Sequence, residues 1–179
     1  MIIRNATLND SAAIAAIYND AVLNSTAIWN EQTVDAANRA AWIGERQAAG
    51  YPVLVAVNGA DEAIGYASFG DWRAWDGYRH TVEHSVYVHQ AHRGEGIGKA
   101  LLIALIARAR EIGKHVMVAG IESGNQASIQ LHLALEFREV GRMEHVGAKF
   151  GQWLDLPFLQ LTLDEGAAPP GRWSRKTAR

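Results

Sequence analysis

The spacing of apolar positions changes period several times along this chain. Residues 2–5 (IIRN) read as a short strand. Residues 11–22 place Ile14, Ile17 and Val22 on one side of a helix, with Asn9 or Asp10 as its cap. Residues 35–49 predict a second helix that stops at Gly50. The run PVLVAV at 52–57 is β-rich, Asn58 and Gly59 give a two-residue turn signal, and residues 63–69 supply the returning strand of a hairpin. An aromatic loop follows at 72–79, then a strand at 81–88 (TVEHSVYV). Residues 96–112 are the clearest helix, with Ile97, Leu101, Leu105, Ala109 and Ile112 at helical spacing. After Gly113 come a strand at 115–121, a short helix at 125–135 and a last strand at 158–163. The order predicts a mixed α/β domain with hairpins in its first half and a β-α-β unit in its second.

Composition narrows the setting. The chain has 179 residues, enough for a single domain with a full core, and we expect that domain over residues 1–165. Residues 166–179 carry Arg172, Arg175, Lys176 and Arg179 and no acid after Glu165, which predicts a basic flexible tail. The remaining 13 basic residues face all 19 acids, a body charge of −6, the wrong sign for a folded nucleic-acid binder. There is no cysteine, which excludes disulfides, thiolate metal sites and a Cys nucleophile. No apolar run is long enough to span a bilayer, and MIIRNATLND is not read as a signal peptide. A cytoplasmic protein without membrane or nucleic-acid partners is the expectation.

The most informative stretch is residues 85–102, SVYVHQAHRGEGIGKALL. A β-rich run enters a basic, glycine-rich turn that opens a helix. Gly94, Gly96 and Gly98 let backbone N–H groups approach a ligand, and the new helix adds unpaired N–H groups and a partial positive charge. Arg93 and Lys99 add full charges, so the loop suits a phosphate or pyrophosphate. It is not a Walker A loop: three residues separate Gly94 from Gly98, and Ala100 stands where Ser or Thr must bind magnesium. It is not a dinucleotide fingerprint either, because the third glycine is misplaced and the motif lies mid-chain.

The pattern Arg93-x-x-Gly96-x-Gly98 behind a V-x-V strand resembles the acetyl-CoA signature of the GNAT superfamily of N-acetyltransferases. Asn125, Ser128, His132 and Phe137 resemble the superfamily's second signature, with Glu136 standing where the family usually has Gly. The segments TAIWNE (26–31), FGDWR (69–73), TVEHSVYV (81–88) and VGAKFGQWLD (146–155) are similar to the phosphinothricin acetyltransferase branch, which includes methionine sulfone and methionine sulfoximine acetyltransferases. The resemblance implies a mostly antiparallel central sheet flanked by helices and splayed at its middle strands. It implies acetyl transfer from acetyl-CoA to the α-amino group of a small amino acid, no metal, and a homodimer. Polyamine, aminoglycoside or protein N-terminal acceptors, and a non-catalytic acyl-CoA-binding module, stay open as alternatives.

Roles follow from that resemblance and from the chemistry. Val86, Tyr87 and Val88 would offer main-chain groups to the pantetheine arm, and Arg93, Gly94, Glu95, Gly96, Ile97, Gly98 and Lys99 would hold the pyrophosphate. Asn125 and Ser128 would meet the pantetheine amide region; an N-cap role for Asn125 is the alternative. Glu83, a carboxylate on a strand rich in β-branched and aromatic residues, is the expected general base. His84 points to the opposite face by strand alternation. His132 would be the second catalytic residue, near the leaving thiolate, as its proton donor or a hydrogen-bond partner. For substrate we expect Arg73 with Ala74 and Trp75, then Glu83, His84 and Ser85, with Lys149 as a second carboxylate ligand. Trp29, Trp72, Trp75 and Tyr78 are candidates to line the pocket.

Overall fold

The computed structural model describes residues 1–166 and 168; the rest of the expected tail lies outside the described residues. In chain order the elements are β1 (Ile2–Asn5), α1 (Ser11–Asn24), α2 (Ala36–Ala48), β2 (Val53–Val57), β3 (Ala63–Asp71) and β4 (Thr81–Val88). Then come α3 (Ile97–Glu111), β5 (Val116–Gly120), α4 (Gln126–Leu133), β6 (Arg138–Lys149) and β7 (Gln152–Thr162). Seven strands form one sheet in the order β1-β2-β3-β4-β5-β7-β6. Every pairing is antiparallel except β4 with β5.

Helices cover both faces. Val53, Val55 and Val57 of β2 pack with Ile14 and Ile17 of α1 and Ile43 of α2. The alternate residues Leu54 and Ala56 join Leu101, Leu102 and Leu105 of α3. A strand buried on both faces must be apolar at every position, which is why β2 reads as a continuous run. Each fully buried Leu or Ile contributes roughly 1.5–3 kcal/mol of transfer free energy. At the start of α2, Asp35 accepts from the Asn38 amide at 2.8 Å, and Gly50 beyond its end adopts φ 79°.

Three local expectations are corrected. The β2–β3 connection is longer than a two-residue turn: Asn58 Oδ1 accepts from the amides of Ala60 and Glu62, and Asp61 takes φ 59°. Asp10 does not cap α1 through its side chain; its carboxylate accepts from Arg4 and from the Thr7 amide. The strand β6 was not foreseen, and β7 begins at Gln152 rather than at 158. Arg138–Lys149 is exposed over most of its length, and its register with β7 shifts twice, so it shows no period-2 apolar face. Phe150 (φ 52°) and Gly151 (φ 73°) make the tight turn between the two strands, and Phe is an unusual occupant of its first position.

Candidate active site

The parallel ladder between β4 and β5 has three rungs, Thr81–Val116, Val82–Met117 and Glu83–Val118, and ends there. Beyond Glu83 the strands diverge. A cavity of about 290 Å³ fills the gap, lined by residues 83–87 of β4, residues 119–122 at the end of β5 and just beyond it, and Asn125, Ser128 and His132 at and in α4. The splay expected between the middle strands is therefore present, and Glu83 stands at its vertex. One carboxylate oxygen of Glu83 lies 3.3 Å from the place a Cβ on Gly120 would take, so a glycine there leaves the carboxylate its room. The cavity walls push the Glu83 carboxyl above its ordinary pKa through desolvation, and the Arg73 charge partly offsets this.

Strand alternation sorts the neighbours as expected. Val82 and His84 face α3, while Tyr87 packs toward the α1–α2 side. His84 is buried and stacks on His132, with centroids 5.1 Å apart and planes at 13°. His132 Nδ1 lies 2.7 Å from the Ser128 carbonyl oxygen, which can only accept, so that nitrogen carries the proton. The Nε2 of His132 then accepts from His84 Nε2–H at 3.2 Å. Burial and the neighbouring imidazole push His84 down to about 3, and burial lowers His132 as well, so the pair is neutral. In this state His132 presents a lone pair, not a spare proton, to its neighbour.

The glycine loop has the backbone of an anion site. Gly94 and Gly96 take φ 84° and 79°, a region that favours glycine, and Gly96 precedes the first turn of α3. Among the described residues, the amide N–H groups of 94–99 meet no protein acceptor. A row of unpaired amides at a helix N-terminus, beside Lys99, is suited to a phosphate group. Arg93 is held across the loop, with Nη2 2.8 Å from Asp20 of α1. Asn125 lines the cavity and caps α4, its Oδ1 accepting from the Ser128 amide at 3.2 Å. Both roles foreseen for its position are geometrically compatible.

On the substrate side the structure departs from the expectation. Lys149 is buried at 3% exposure, and its ammonium donates to the carbonyls of Val22, Ser25 and Ile28 at 2.6, 2.7 and 2.5 Å. All three donors are taken, so Lys149 ties the end of α1 to β6 and has none left for a carboxylate. Arg73 lies in the exposed segment after β3, stacked 4.5 Å over Trp72, close enough to act on Glu83. Ala74 and Trp75 are exposed beside it. Trp72 and Tyr78 line a separate apolar groove on β5 and β7, and Trp29 packs against Gly147 of β6. The rings that stand near Glu83 are instead Tyr18, Trp42, Tyr66, Phe69 and Tyr87. Two guanidiniums of α2, Arg39 and Arg46, stand with them, and nothing in their local pattern beyond a mixed helix marks either. A groove of about 930 Å³ runs along residues 29–35, and Glu83 is not among the residues that line it. Glu122 accepts from Thr26 at 2.7 Å and from the Gly124 amide at 2.7 Å, which fixes the loop after α1 against the cavity rim. Among the described residues no group of three His, Cys, Asp or Glu is placed to hold a metal ion, and no helix is long and apolar enough to cross a membrane.

This geometry has close counterparts. The L-amino acid N-acyltransferase MnaT of Escherichia coli is 62% identical over 170 residues, 94% of this chain and 98% of that protein. The L-methionine sulfoximine/L-methionine sulfone acetyltransferase of Salmonella typhimurium is 62% identical over the same shares. The solved acetyltransferase yncA from Salmonella typhimurium, with its cofactor acetyl-CoA, superposes with a TM-score of 0.92 at 60% identity, covering 96% of this chain and 99% of that one. A phosphinothricin acetyltransferase from Sinorhizobium meliloti in complex with AcCoA gives 0.91 at 38% identity, covering 97% and 94%. The Acetyltransferase (GNAT) family matches residues 14–137, a span that runs from α1 through the glycine loop to the end of α4. With its splayed β4–β5 pair, its bare amides at 94–99 and this match, the chain belongs to the GNAT family of acetyltransferases.

Proposed function

We propose that this protein transfers the acetyl group of acetyl-CoA to the α-amino group of a small amino acid such as methionine sulfone, methionine sulfoximine or phosphinothricin. The observation that carries the reading is the carboxylate of Glu83 at the vertex of the splay, on the strand β4 that leads into the loop with the unpaired amides of 94–99. The names and identities of the relatives support the acceptor class.

Acetyl-CoA would bring a thioester carbonyl to this cavity, and the chain's residues would do the rest. Arg93, Gly94, Glu95, Gly96, Ile97, Gly98 and Lys99 hold the diphosphate, and the main chain of Val86, Tyr87 and Val88, with Asn125 and Ser128, holds the arm. Glu83 takes a proton from the acceptor ammonium, directly or through one water, freeing the nitrogen lone pair to bond the acyl carbon; the carbon–sulfur bond breaks, and the departing thiolate takes the second proton that the nitrogen loses. A base placed so contributes roughly 10²–10⁴-fold. Arg73, with Ala74, Trp75 and Ser85 around it, pairs with the acceptor carboxylate. His84 and His132 form a neutral, water-excluding wall beside the sulfur.

Trp75, Met143, Phe150 and Trp153 are apolar and exposed, and a homodimer that covers them is part of this reading. Dependence on acetyl-CoA supports a cytoplasmic place and a role in detoxifying amino-acid analogues. Thiol release from acetyl-CoA with a panel of amines tests the reading. Release with methionine sulfone or phosphinothricin is expected. Release with a polyamine or aminoglycoside and with neither amino acid overturns it.

A further inference from the structure

On the α1–α2 side of Glu83 lies a second, smaller cavity of about 130 Å³. The rings of Tyr18, Trp42, Tyr66 and Phe69 wall it, and Arg39 and Arg46 reach it from α2. Arg46, Glu83, Ser85 and Tyr87 line both cavities, so one acceptor can span them with its nitrogen at the shared carboxylate. Arg39 lies over the rings of Tyr18 and Trp42, 4.6 and 5.2 Å from their centroids. Its Nε and Nη2 both reach one amide oxygen of Asn38. Arg46 donates a single bond, from Nη1 to the Phe69 carbonyl at 3.3 Å. Among the described residues neither arginine forms an ion pair. Two permanent cations partly withdrawn from water, with donors to spare, suit a ligand that brings acceptor oxygens.

The strand beneath Arg46 supports the same assignment. Gly70 stands opposite Glu83 in the β3–β4 register, and a Cβ there would collide with the Arg46 guanidinium. A glycine inside a strand weakens it, and here it gives a guanidinium a seat beside the reactive carboxylate.

We propose that this pocket holds the acceptor's side chain, its aliphatic stem between the aromatic rings and its tetrahedral, oxygen-bearing head on Arg39 and Arg46. The inference rests on the amino-acid reading above and adds the residues that select among amino acids. A sulfone, a sulfoximine and a phosphinate share that head, and the guanidinium forks supply paired donors for it. Methionine and norleucine share the stem and lack the oxygens. A cationic head such as that of a polyamine is repelled.

The test compares kcat/KM for methionine sulfone with that for methionine and for norleucine, by thiol release, in the wild type and in Arg39→Gln, Arg46→Gln and Gly70→Ala. The sulfone-to-methionine ratio is expected to exceed one in the wild type and to fall about 10–100-fold in Arg46→Gln, the worth of charge-assisted hydrogen bonds. Gly70→Ala is expected to lower the same ratio while both arginines remain, because only the flexible end of Arg46 must move. Arg46→Lys, which keeps the charge and loses the fork, is expected to fall between. Should Arg39→Gln unfold through loss of its ring contacts, as a thermal melt would show, the substitutions at 46 and 70 decide. A wild-type ratio near one, or equal losses for sulfone and methionine, overturns the pocket assignment and leaves the proposed function standing. A wild type that acetylates a polyamine and no amino acid overturns the function, and the pocket with it.

Discussion

The Nε2 atoms of His84 and His132 face each other at 3.2 Å across a strand and a helix 48 residues apart, and neither imidazole carries a charge. The folded-state pKa of each lies below the free value of 6.5, by burial above all. As pH falls below about 6.5, the unfolded chain takes up protons that the folded pair refuses. Stability is then complete above that pH and is lost below it, by about 1.4 kcal/mol per pH unit for His84, with His132 adding in the same direction. Urea midpoints between pH 7 and pH 5 check this. His84→Phe is expected to remove about one proton's share of the slope; an unchanged slope contradicts the neutral pair.

Glu83 titrates in the opposite sense. Its raised pKa means the base form is lost at a higher pH than for an ordinary glutamate, so kcat/KM should fall on the acid side from a correspondingly higher pH. Glu83→Gln should lower turnover about 10²–10⁴-fold at neutral pH and recover part of it at alkaline pH, where the free amine is abundant. A loss that does not vary with pH argues against a base.

Gly96 occupies a left-handed conformation with open space around it, so its constraint is backbone, not room. Gly96→Val should cost roughly 1–3 kcal/mol of stability and strip acetyl-CoA affinity by re-aiming the amides of 94–99. Calorimetry that finds affinity retained in the folded variant would contradict the loop assignment.

Lys149 satisfies three carbonyls that have no other use for a charge so deeply placed. Lys149→Met should destabilise the fold by about 2–4 kcal/mol, because buried acceptors are left unpaired, with no direct effect on carboxylate recognition. A large rise in acceptor KM at unchanged stability would return Lys149 to the substrate.

Glu136 follows α4 with φ 68°, the conformation for which glycine is suited. Its side chain is exposed, so little packing is lost on removal. Glu136→Gly should stabilise the protein by up to about 1 kcal/mol, read as a shift of the urea midpoint.

Local pattern located the helices α1 to α4 and the strands β1 to β5: apolar spacing and β-rich runs marked what each element hides, and caps and glycine stops marked where it ends. The glycine loop was legible for a related reason: positive φ and bare amides demand glycine, and glycine is visible in a sequence. Glu83 stood out as the single acid in the β-rich run 81–88. What the tertiary structure decided is everything set by pairing across distance. β6 exists because β7 offers it a partner, with no apolar period of its own to announce it. Lys149 is structural because three carbonyls from another element converge on it. Arg39 and Arg46 look like surface charges on an amphipathic helix until α2 is laid against β3, when their heads come to rest at the cavity that Glu83 also lines. Local pattern reports what a residue prefers; only packing reports whom it meets.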